Sequence, residues 1–325
     1  MRLVSAWPAW LAPMGWGRQM RPFGGDHWWP LALSAVAFAA LVGAAVALAA
    51  RRDVGRGILA ERRGRAAAAP ALLSPLGLAW RLQRGALAAW AVGMLGFGLI
   101  FGAIIDEVAG SSSATTDWYA RMGGSDVIVD AYRASTIQMA GMAVAIYATQ
   151  MLLRMRAEEA DGRLEPILGT AVSRSRWMIS HVINAALGSL VLLLVYAIGV
   201  GLTAGAIVGD VPAQLGDMLV AGAVQLPAIL VIGGVVVSVT ALLPRWAGAV
   251  CWTAVIVFIL LGPLFGAATF QLPEWTQNLP PFTHTPKLPG ADLTAVPVVA
   301  LIAIAAALSA AGLARFRRRD LTLPA

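Results

Sequence analysis

Long apolar runs alternate with short polar segments along the whole chain, and this pattern predicts an all-α polytopic membrane protein. Each run is about 20 residues long, which is the length that an α-helix needs to cross the hydrocarbon core of a bilayer. The pattern predicts about seven transmembrane helices, at residues 30–50, 86–105, 135–153, 182–208, 218–243, 248–268 and 295–314. The composition agrees, because only 13% of the 325 residues are charged, whereas a soluble domain carries about 25%.

The distribution of arginine gives these predicted spans an orientation. Lys and Arg are enriched in the cytoplasmic loops of membrane proteins, and most of the 24 basic residues lie between alternate spans. We therefore expect the cytoplasmic segments to be 51–84, 154–181, 244–245 and the tail after residue 314. The net charge of +7 follows these segments, so it predicts contact with the lipid bilayer and no nucleic-acid partner.

A weak internal repeat leads to a prediction about domain organisation. A Pro-rich segment, one apolar span and an Arg-Asp pair occur twice, 267 residues apart, since Pro13, Pro22, Pro30, Arg52 and Asp53 match Pro280, Pro289, Pro297, Arg319 and Asp320. We interpret residues 1–50 as a Trp- and Pro-rich external segment plus the last span of a first, mostly absent bundle. Residues 51–84 then form a cytoplasmic linker and residues 85–325 a six-span bundle.

The linker ends in a predicted interfacial helix. Ser74 and Pro75 are a helix start signal, and the residues that follow carry an amphipathic pattern. The residues of this predicted helix that should lie at the membrane surface are Leu76, Trp80, Arg81 and Arg84.

The densest mixture of positive and negative charge lies in the central segment, residues 154–181. Within it Leu164, Ile167 and Leu168 have the spacing i, i+3, i+4, which places them on one face of a helix. Gly162 can end one helical turn, and Pro166 can occupy the first turn of the next. The pattern predicts a short amphipathic helix on the membrane surface that receives a push from a soluble partner.

Sites of chemistry are not visible in the sequence. The only lysine, Lys287, is followed by Leu288, so the chain lacks the phosphate-binding loop that ends in Gly-Lys-Ser/Thr. No Asp or Glu lies inside a predicted span, which disfavours a carrier driven by protons or sodium ions. We interpret His181, at the entrance of a span, as interfacial structure rather than as a ligand. The polar residues within spans are predicted to form interhelical hydrogen bonds, with a substrate path as the weaker alternative: Gln138, Gln150, Asn184 and Gln225.

The central segment resembles the first cytoplasmic loop of the permeases of type-2 ATP-binding-cassette (ABC) exporters, in particular the actinobacterial polyketide-antibiotic and multidrug branch. That loop carries an acidic residue, Gly-x-Leu/Ile-Glu, a hydrophobic pair and Val-Ser-Arg. These elements stand here as Glu158-Glu159, Gly162-Arg163-Leu164-Glu165, Ile167-Leu168 and Val172-Ser173-Arg174, with Arg176 in the extension that follows. Members of that branch usually have about twelve spans, whereas this chain supplies seven.

The resemblance implies a permease subunit of the bacterial plasma membrane that exports a hydrophobic or antibiotic-like substrate. It implies that a cytoplasmic ABC ATPase, itself a dimer, docks on residues 154–181 and binds the ATP and Mg, so that the chain holds no cofactor. A second permease half or a second copy would complete the transporter.

Two plainer interpretations remain open at this stage. The central segment is alternatively a solvated connection, or a patch that pairs with lipid headgroups. The chain is alternatively a non-transporting accessory or truncated membrane subunit with a structural role.

Overall fold

A computed structural model describes residues 16–17, 20, 28–50, 67, 69–109, 117–121 and 128–319 of the chain. All regular structure within these ranges is helical, which confirms the predicted all-α polytopic membrane protein. Several predicted features lie outside the described residues. They are most of the Trp- and Pro-rich segment, the linker 51–66 and five members of the repeat, Pro13, Pro22, Arg52, Asp53 and Asp320.

Residues 16–17 and 117–121 are helical, and eleven further α-helices have described limits. They are α1 (Trp29–Ala50), α2 (Pro75–Ala103), α3 (Ile105–Ala109), α4 (Ile128–Ala160), α5 (Leu164–Leu168), α6 (Arg174–Val208), α7 (Val211–Val224), α8 (Leu226–Leu242), α9 (Ala247–Leu261), α10 (Glu274–Gln277) and α11 (Ala295–Arg318). Two 3₁₀ turns, Pro70–Leu73 and Pro281–His284, and a π-helical stretch, Pro263–Thr269, complete the set. Seven helical segments in the described chain are long and apolar enough to cross a membrane, with α7 and α8 counted as one.

The chain divides into two compact units, residues 1–67 and 68–325. The first unit contributes α1, whose large side chains are exposed all round the helix, as Val36, Phe38 and Leu41 illustrate. A helix that is apolar on every side suits a hydrocarbon environment.

The second unit is a helical bundle with α4 as its most enclosed span. The helix α2 packs along α6, α7 packs along α6, and α8 packs along both α4 and α11. Glycine permits the closest of these approaches. A Cβ atom on Gly234 of α8 would lie 3.0 Å from the Ala305 carbonyl oxygen, and one on Gly312 of α11 would lie 2.9 Å from the Ser238 nitrogen. The Ser238 hydroxyl donates a 2.7 Å hydrogen bond to the Leu308 carbonyl, which joins the same two helices.

Several spans extend beyond their predicted limits. The helix α4 begins at Ile128 and continues to Ala160, so the first charged residues of the central segment are helical. Arg, Met, Ala and Glu all favour helix, and nothing in the sequence from 154 to 160 stops it. Likewise α2 is one continuous helix from Pro75, so the predicted interfacial helix is the first part of a span.

Two predicted spans are interrupted. The fifth breaks at Gln225, between α7 and α8, because Pro227 lacks an amide hydrogen and its ring clashes with the carbonyl four residues earlier. The sixth is interrupted at Gly262 and Pro263, where α9 gives way to the π-helical stretch. The apolar pattern is continuous through both breaks, so hydrophobicity alone does not reveal them.

Candidate functional site: the central charged segment

The central segment leaves the bundle through a tight turn at the end of α4. Gly162 has φ of +71°, a left-handed conformation that glycine adopts without steric penalty. The amide of Gly162 donates to the Glu159 carbonyl and that of Arg163 to the Glu158 carbonyl, so the last carbonyls of α4 are satisfied. The expectation that Gly162 ends a helical turn agrees with this geometry.

The short helix α5 follows at once and has one apolar face. Leu164 is only 2% exposed, and Ile167 and Leu168 are half-buried against the hydrophobic core of the bundle. Pro166 lies within the single turn of α5, as predicted. The three apolar side chains hold α5 on its own bundle, so they do not form a free apolar surface for a partner.

The opposite side of this turn faces outward. Glu165 and Pro166 are exposed, and so are Gly169 and Thr170 immediately after α5. The chain then enters α6 through Ser173, whose hydroxyl accepts a hydrogen bond from the Arg176 amide at 3.2 Å and caps the helix. The exposed ridge, residues 165–170, is therefore fixed at both ends by regular structure.

Glu158 has a different environment from the one we predicted. It is 7% exposed, and its Oε2 lies 3.4 Å from Nε2 of His181 on α6. The other ring nitrogen of His181, Nδ1, lies 3.2 Å from the side-chain amide nitrogen of Gln83 on α2. Glu158 thus links α4 to α6 and α2 within the chain and presents no free carboxylate to a docking protein. His181, which we interpreted as interfacial structure, is 2% exposed and joins α6 to α4 and α2.

Glu159 is likewise turned inward. It is 5% exposed, and its Oε2 accepts a 2.5 Å hydrogen bond from Nη2 of Arg319, just beyond the end of α11. Arg174, which we assigned to partner docking, is half-buried and donates from Nη1 to the Arg319 carbonyl at 2.7 Å. Arg174 and both glutamates therefore bind other parts of this chain.

Two other arginines of the segment remain exposed. Arg163 pairs with Asp161 at 2.8 Å, and Arg176 points outward at the start of α6. Arg163 also borders a cavity of about 300 Å³ between α2, α4 and α5, which is lined by Leu78, Leu82, Arg154, Ala157, Glu158, Arg163 and Ile167. Arg154 crosses this gap and donates to the Leu82 carbonyl at 3.0 Å.

The predicted interfacial residues occupy the outer surface of the first turns of α2. Leu76 and Trp80 are 42% and 49% exposed, and Arg81 and Arg84 are exposed beside them. The Ser74 hydroxyl accepts from the Gly77 amide at 3.1 Å, which caps this helix as predicted. The face carries both aromatic and basic groups, as expected of a helix end at the membrane interface.

Three of the four polar residues of the weak substrate path form hydrogen bonds to other elements of the bundle. Gln150 accepts from the Trp90 indole of α2 at 3.2 Å, Asn184 donates to the Leu76 carbonyl at 3.2 Å, and Gln225 accepts from the Thr285 hydroxyl at 3.3 Å. These are hydrogen bonds between elements. Gln138 is fully buried, and its side-chain amide has no protein partner among the described residues.

An apolar cavity of about 220 Å³ lies elsewhere in the bundle, between α4, α6, α8 and α11. Its walls include Ala148, Ala185, Gly233 and Ala306. Only the hydroxyls of Ser189 and Ser309 are polar side-chain groups there, and Ser189 donates to the Ala185 carbonyl of its own helix. The cavity can accommodate an apolar group and offers no charge.

Sequence reasoning missed the partners of the central segment. Gln83 was unremarked, and Arg319 was interpreted only as part of the cytoplasmic tail. The signal for Arg319 was its membership of the repeat, but nothing local in the sequence connects it to Glu159, which is 160 residues away.

Comparison with known proteins identifies the family of the chain. Residues 72–317 match the family model described as multidrug efflux system permease Rv1217c, C-terminal domain. The chain is 42% identical over 315 residues to the multidrug efflux system permease protein Rv1217c of Mycobacterium tuberculosis (strain ATCC 25618 / H37Rv). That match covers 96% of this chain and 57% of the relative, so the chain spans little more than half the relative's length.

The resemblance inferred from the central segment is confirmed by these matches, and the seven apolar helices agree with a multi-pass protein of the cell membrane. The matched region includes the central segment and six of the seven spans. This chain belongs to the family of the C-terminal domain of the multidrug efflux system permease Rv1217c.

Proposed function

We propose that the chain is the membrane subunit of an ABC exporter, which moves a hydrophobic or antibiotic-like substrate outward while a separate ATPase docks on the central segment. The single observation that carries this proposal is the exposed ridge at 165–170. Its apolar side is anchored on the bundle core by Leu164, while its outer side, with Glu165, is open. A ridge held in this way transmits a force, whereas a loose connection would absorb it.

The chemistry of the ridge suits docking of a protein. Glu165 is exposed and has no ion-pair partner among the described residues, and Arg176 lies exposed near the other end of the segment. Charges of both signs on one rigid surface favour one orientation of a complementary partner. The docking set that we now propose is therefore Arg163, Glu165 and Arg176, without Glu158 and Glu159.

The proposed energy source is ATP, which the partner ATPase binds. The sequence lacks a phosphate-binding loop, so we propose that ATP and Mg bind a dimeric cytoplasmic ATPase and that this chain holds neither. The name of the relative, a multidrug efflux system permease protein, supports a transport role for the membrane part.

A second membrane component is also part of the proposal, either another permease half or a second copy. The outward face of α2 supports it. A Cβ atom on Gly93 or on Gly96 would meet no other atom within 4 Å, while Val92, Phe97 and Ile100 beside them are exposed. Small residues on an apolar helix face allow another helix to approach closely in a membrane.

The test uses the intact chain co-expressed with ABC ATPases of the same genome. Co-purification measures association, and export of ethidium, a lipophilic fluorescent cation, measures transport. Losing one partner of a desolvated charge pair costs about 2–5 kcal/mol. We therefore expect Glu165→Ala to reduce ATPase association at least about tenfold and to abolish ethidium export, while membrane insertion and thermal stability are unchanged.

Two control variants make the result specific. Glu274→Ala removes an exposed carboxylate from α10, far from the ridge in sequence, and should change nothing. Leu164→Ala removes the buried anchor of α5, which should lower thermal stability as well as association, because large-to-small core changes cost about 2–5 kcal/mol. If Glu165→Ala keeps full association and export, the segment is a solvated connection. A chain that binds no ATPase at all is an accessory membrane subunit.

A further inference from the structure

A cluster of buried polar side chains joins the central segment to the end of α11, and the proposed docking surface does not account for it. Glu158 and Glu159 are adjacent in the last turn of α4, and both are more than nine-tenths buried. They diverge, because Glu158 faces His181 on α6, whereas Glu159 faces Arg319 beyond the end of α11. Arg156, one turn earlier on α4, also faces Glu159, with Nη1 at 3.9 Å from Oε2.

Arg319 is held from several directions. Its guanidinium lies 5.0 Å from the centre of the Phe316 ring, and that ring stacks on Trp177 of α6 at 5.7 Å. The Arg319 carbonyl accepts from Arg174 at 2.7 Å. The end of α11 is thus fastened to α4, before the exposed ridge, and to α6, after it.

This fastening is the main described connection between the central segment and α11. Along its length α11 packs chiefly against α8 and touches α6 only lightly. The end of α4 therefore has no broad direct packing surface on α11, and packing connects the two helices mainly through α8. The Glu159–Arg319 pair supplies a direct connection at the helix ends.

Stability alone is a poor explanation for this pair. Burying two charges requires both to leave water, and well-packed apolar residues of similar volume are often as stable or more so. The pair is also incompletely satisfied, since Oε1 of Glu159 and both Nε and Nη1 of Arg319 are buried without a hydrogen-bond partner among the described protein atoms. Buried polar atoms are ordinarily paired, so this arrangement serves some end other than maximal stability.

We propose that Glu159 and Arg319 are positioning residues of the transport cycle, which make α11 move with the central segment when the ATPase acts on it. This inference rests on the proposed exporter function. The two residues touch neither nucleotide nor substrate; they transmit displacement from the ridge to the last helix. Breaking the pair should leave docking of the ATPase and ATP hydrolysis unchanged, but hydrolysis should no longer drive transport.

The experiment compares wild type with Glu159→Gln and Arg319→Gln, each purified with the ATPase and reconstituted in liposomes. For both variants we expect association and ATP hydrolysis within about twofold of wild type, because neither residue of the pair is part of the exposed ridge. Ethidium export should fall at least about tenfold, because neither variant keeps the charge pair that joins the end of α4 to the end of α11. Arg317→Gln, an exposed arginine in the last turn of the same helix, should export normally.

Two double variants guard against simple misfolding. The reciprocal swap Glu159→Arg with Arg319→Glu restores an opposite-charge pair and should recover much of the export. The double change Glu159→Met with Arg319→Met keeps a packed site without charge, so it should fold and associate but export as poorly as the single variants. Normal export in this apolar variant would show that the charge pair does not connect the segment to α11.

Failure of the inference and failure of the exporter proposal give different results. If wild type associates and exports while both single variants export equally well, the positioning role is wrong and the exporter function stands. If export is lost together with ATPase association in both single variants and the swap, the pair serves folding of the docking surface instead. If wild type neither associates nor exports, the exporter proposal fails and the positioning role fails with it.

Discussion

Gly98 of α2 and Gly199 of α6 lie against each other, with one backbone in contact with the other. A Cβ atom on Gly199 would lie 2.9 Å from the Leu95 carbonyl oxygen, and one on Gly98 would overlap the Tyr196 carbonyl oxygen. Both obstacles are backbone atoms, which cannot rotate away as a flexible side chain can. Close helix contact of this kind supplies the van der Waals packing that holds helices together in a membrane.

Replacement of Gly199 by alanine should therefore separate α2 from α6. Overpacking of a well-packed interior costs about 1–3 kcal/mol, so we expect a lower unfolding temperature in detergent for Gly199→Ala and a larger loss for Gly199→Val. Gly96→Ala is the matched control, because its Cβ would meet nothing within 4 Å. Equal unfolding temperatures for Gly199→Ala and Gly96→Ala would contradict the contact.

The predicted orientation can be tested by labelling single cysteines in a Cys251→Ser background. Cys251 is the only cysteine of the chain and is fully buried. Its replacement therefore leaves no native thiol that could be labelled. Thr170 on the ridge and Glu274 on α10 are both exposed, and we predict that they lie on opposite sides of the membrane. A membrane-impermeant maleimide added to whole cells should label Glu274→Cys and should label Thr170→Cys only after the cells are opened. Rapid labelling of Thr170→Cys in intact cells would invert the topology and remove the docking proposal.

The segment between α10 and α11 inserts deeply into the bundle. A larger side chain on α4, which contacts this segment, should displace it. Phe282 is fully buried, and a Cβ atom on Gly141 of α4 would lie 3.1 Å from its ring. Thr285, in the same segment, donates to Gln225 at 3.3 Å. We expect Gly141→Leu to push Phe282 out and to loosen the whole segment.

The measurement is the labelling rate of a cysteine at Leu288, which is 9% exposed. The rate should rise several-fold in the Gly141→Leu background. It should rise less with Gln225→Leu, which removes one hydrogen bond worth about 1 kcal/mol. Gly248→Leu, whose added side chain starts in open space, is the control. An unchanged rate at Leu288 in Gly141→Leu would show that Phe282 does not hold the segment in place.

The number and type of the apolar spans could be predicted from the sequence because the signals are local. A span is a long run of apolar residues, so α1 and α11 match their predicted limits to within a few residues. The turn at Gly162 was visible for the same reason, since a glycine followed by an apolar i, i+3, i+4 pattern marks the end of one helix and the start of another.

The partners of the candidate site could not be predicted, because they are joined by tertiary packing. Glu159 looks like a solvated charge when its neighbours in sequence are Glu158 and Arg156. Its burial depends on Arg319, which arrives from the end of the chain's last described helix. The spacing of residues in the sequence therefore does not predict that Glu165 is exposed and Glu159 is buried.

Two of the glycine-mediated contacts, α2 with α6 and α8 with α11, define two stiff pairs of helices within the bundle. Helices in backbone contact cannot slide or rotate past each other without collision, so each pair is bound to travel as one body. The contacts between the pairs are sparser, and the apolar cavity at α4, α6, α8 and α11 lies along that seam. A conformational change that preserves both pairs must move one pair relative to the other. Such a movement widens or closes this cavity.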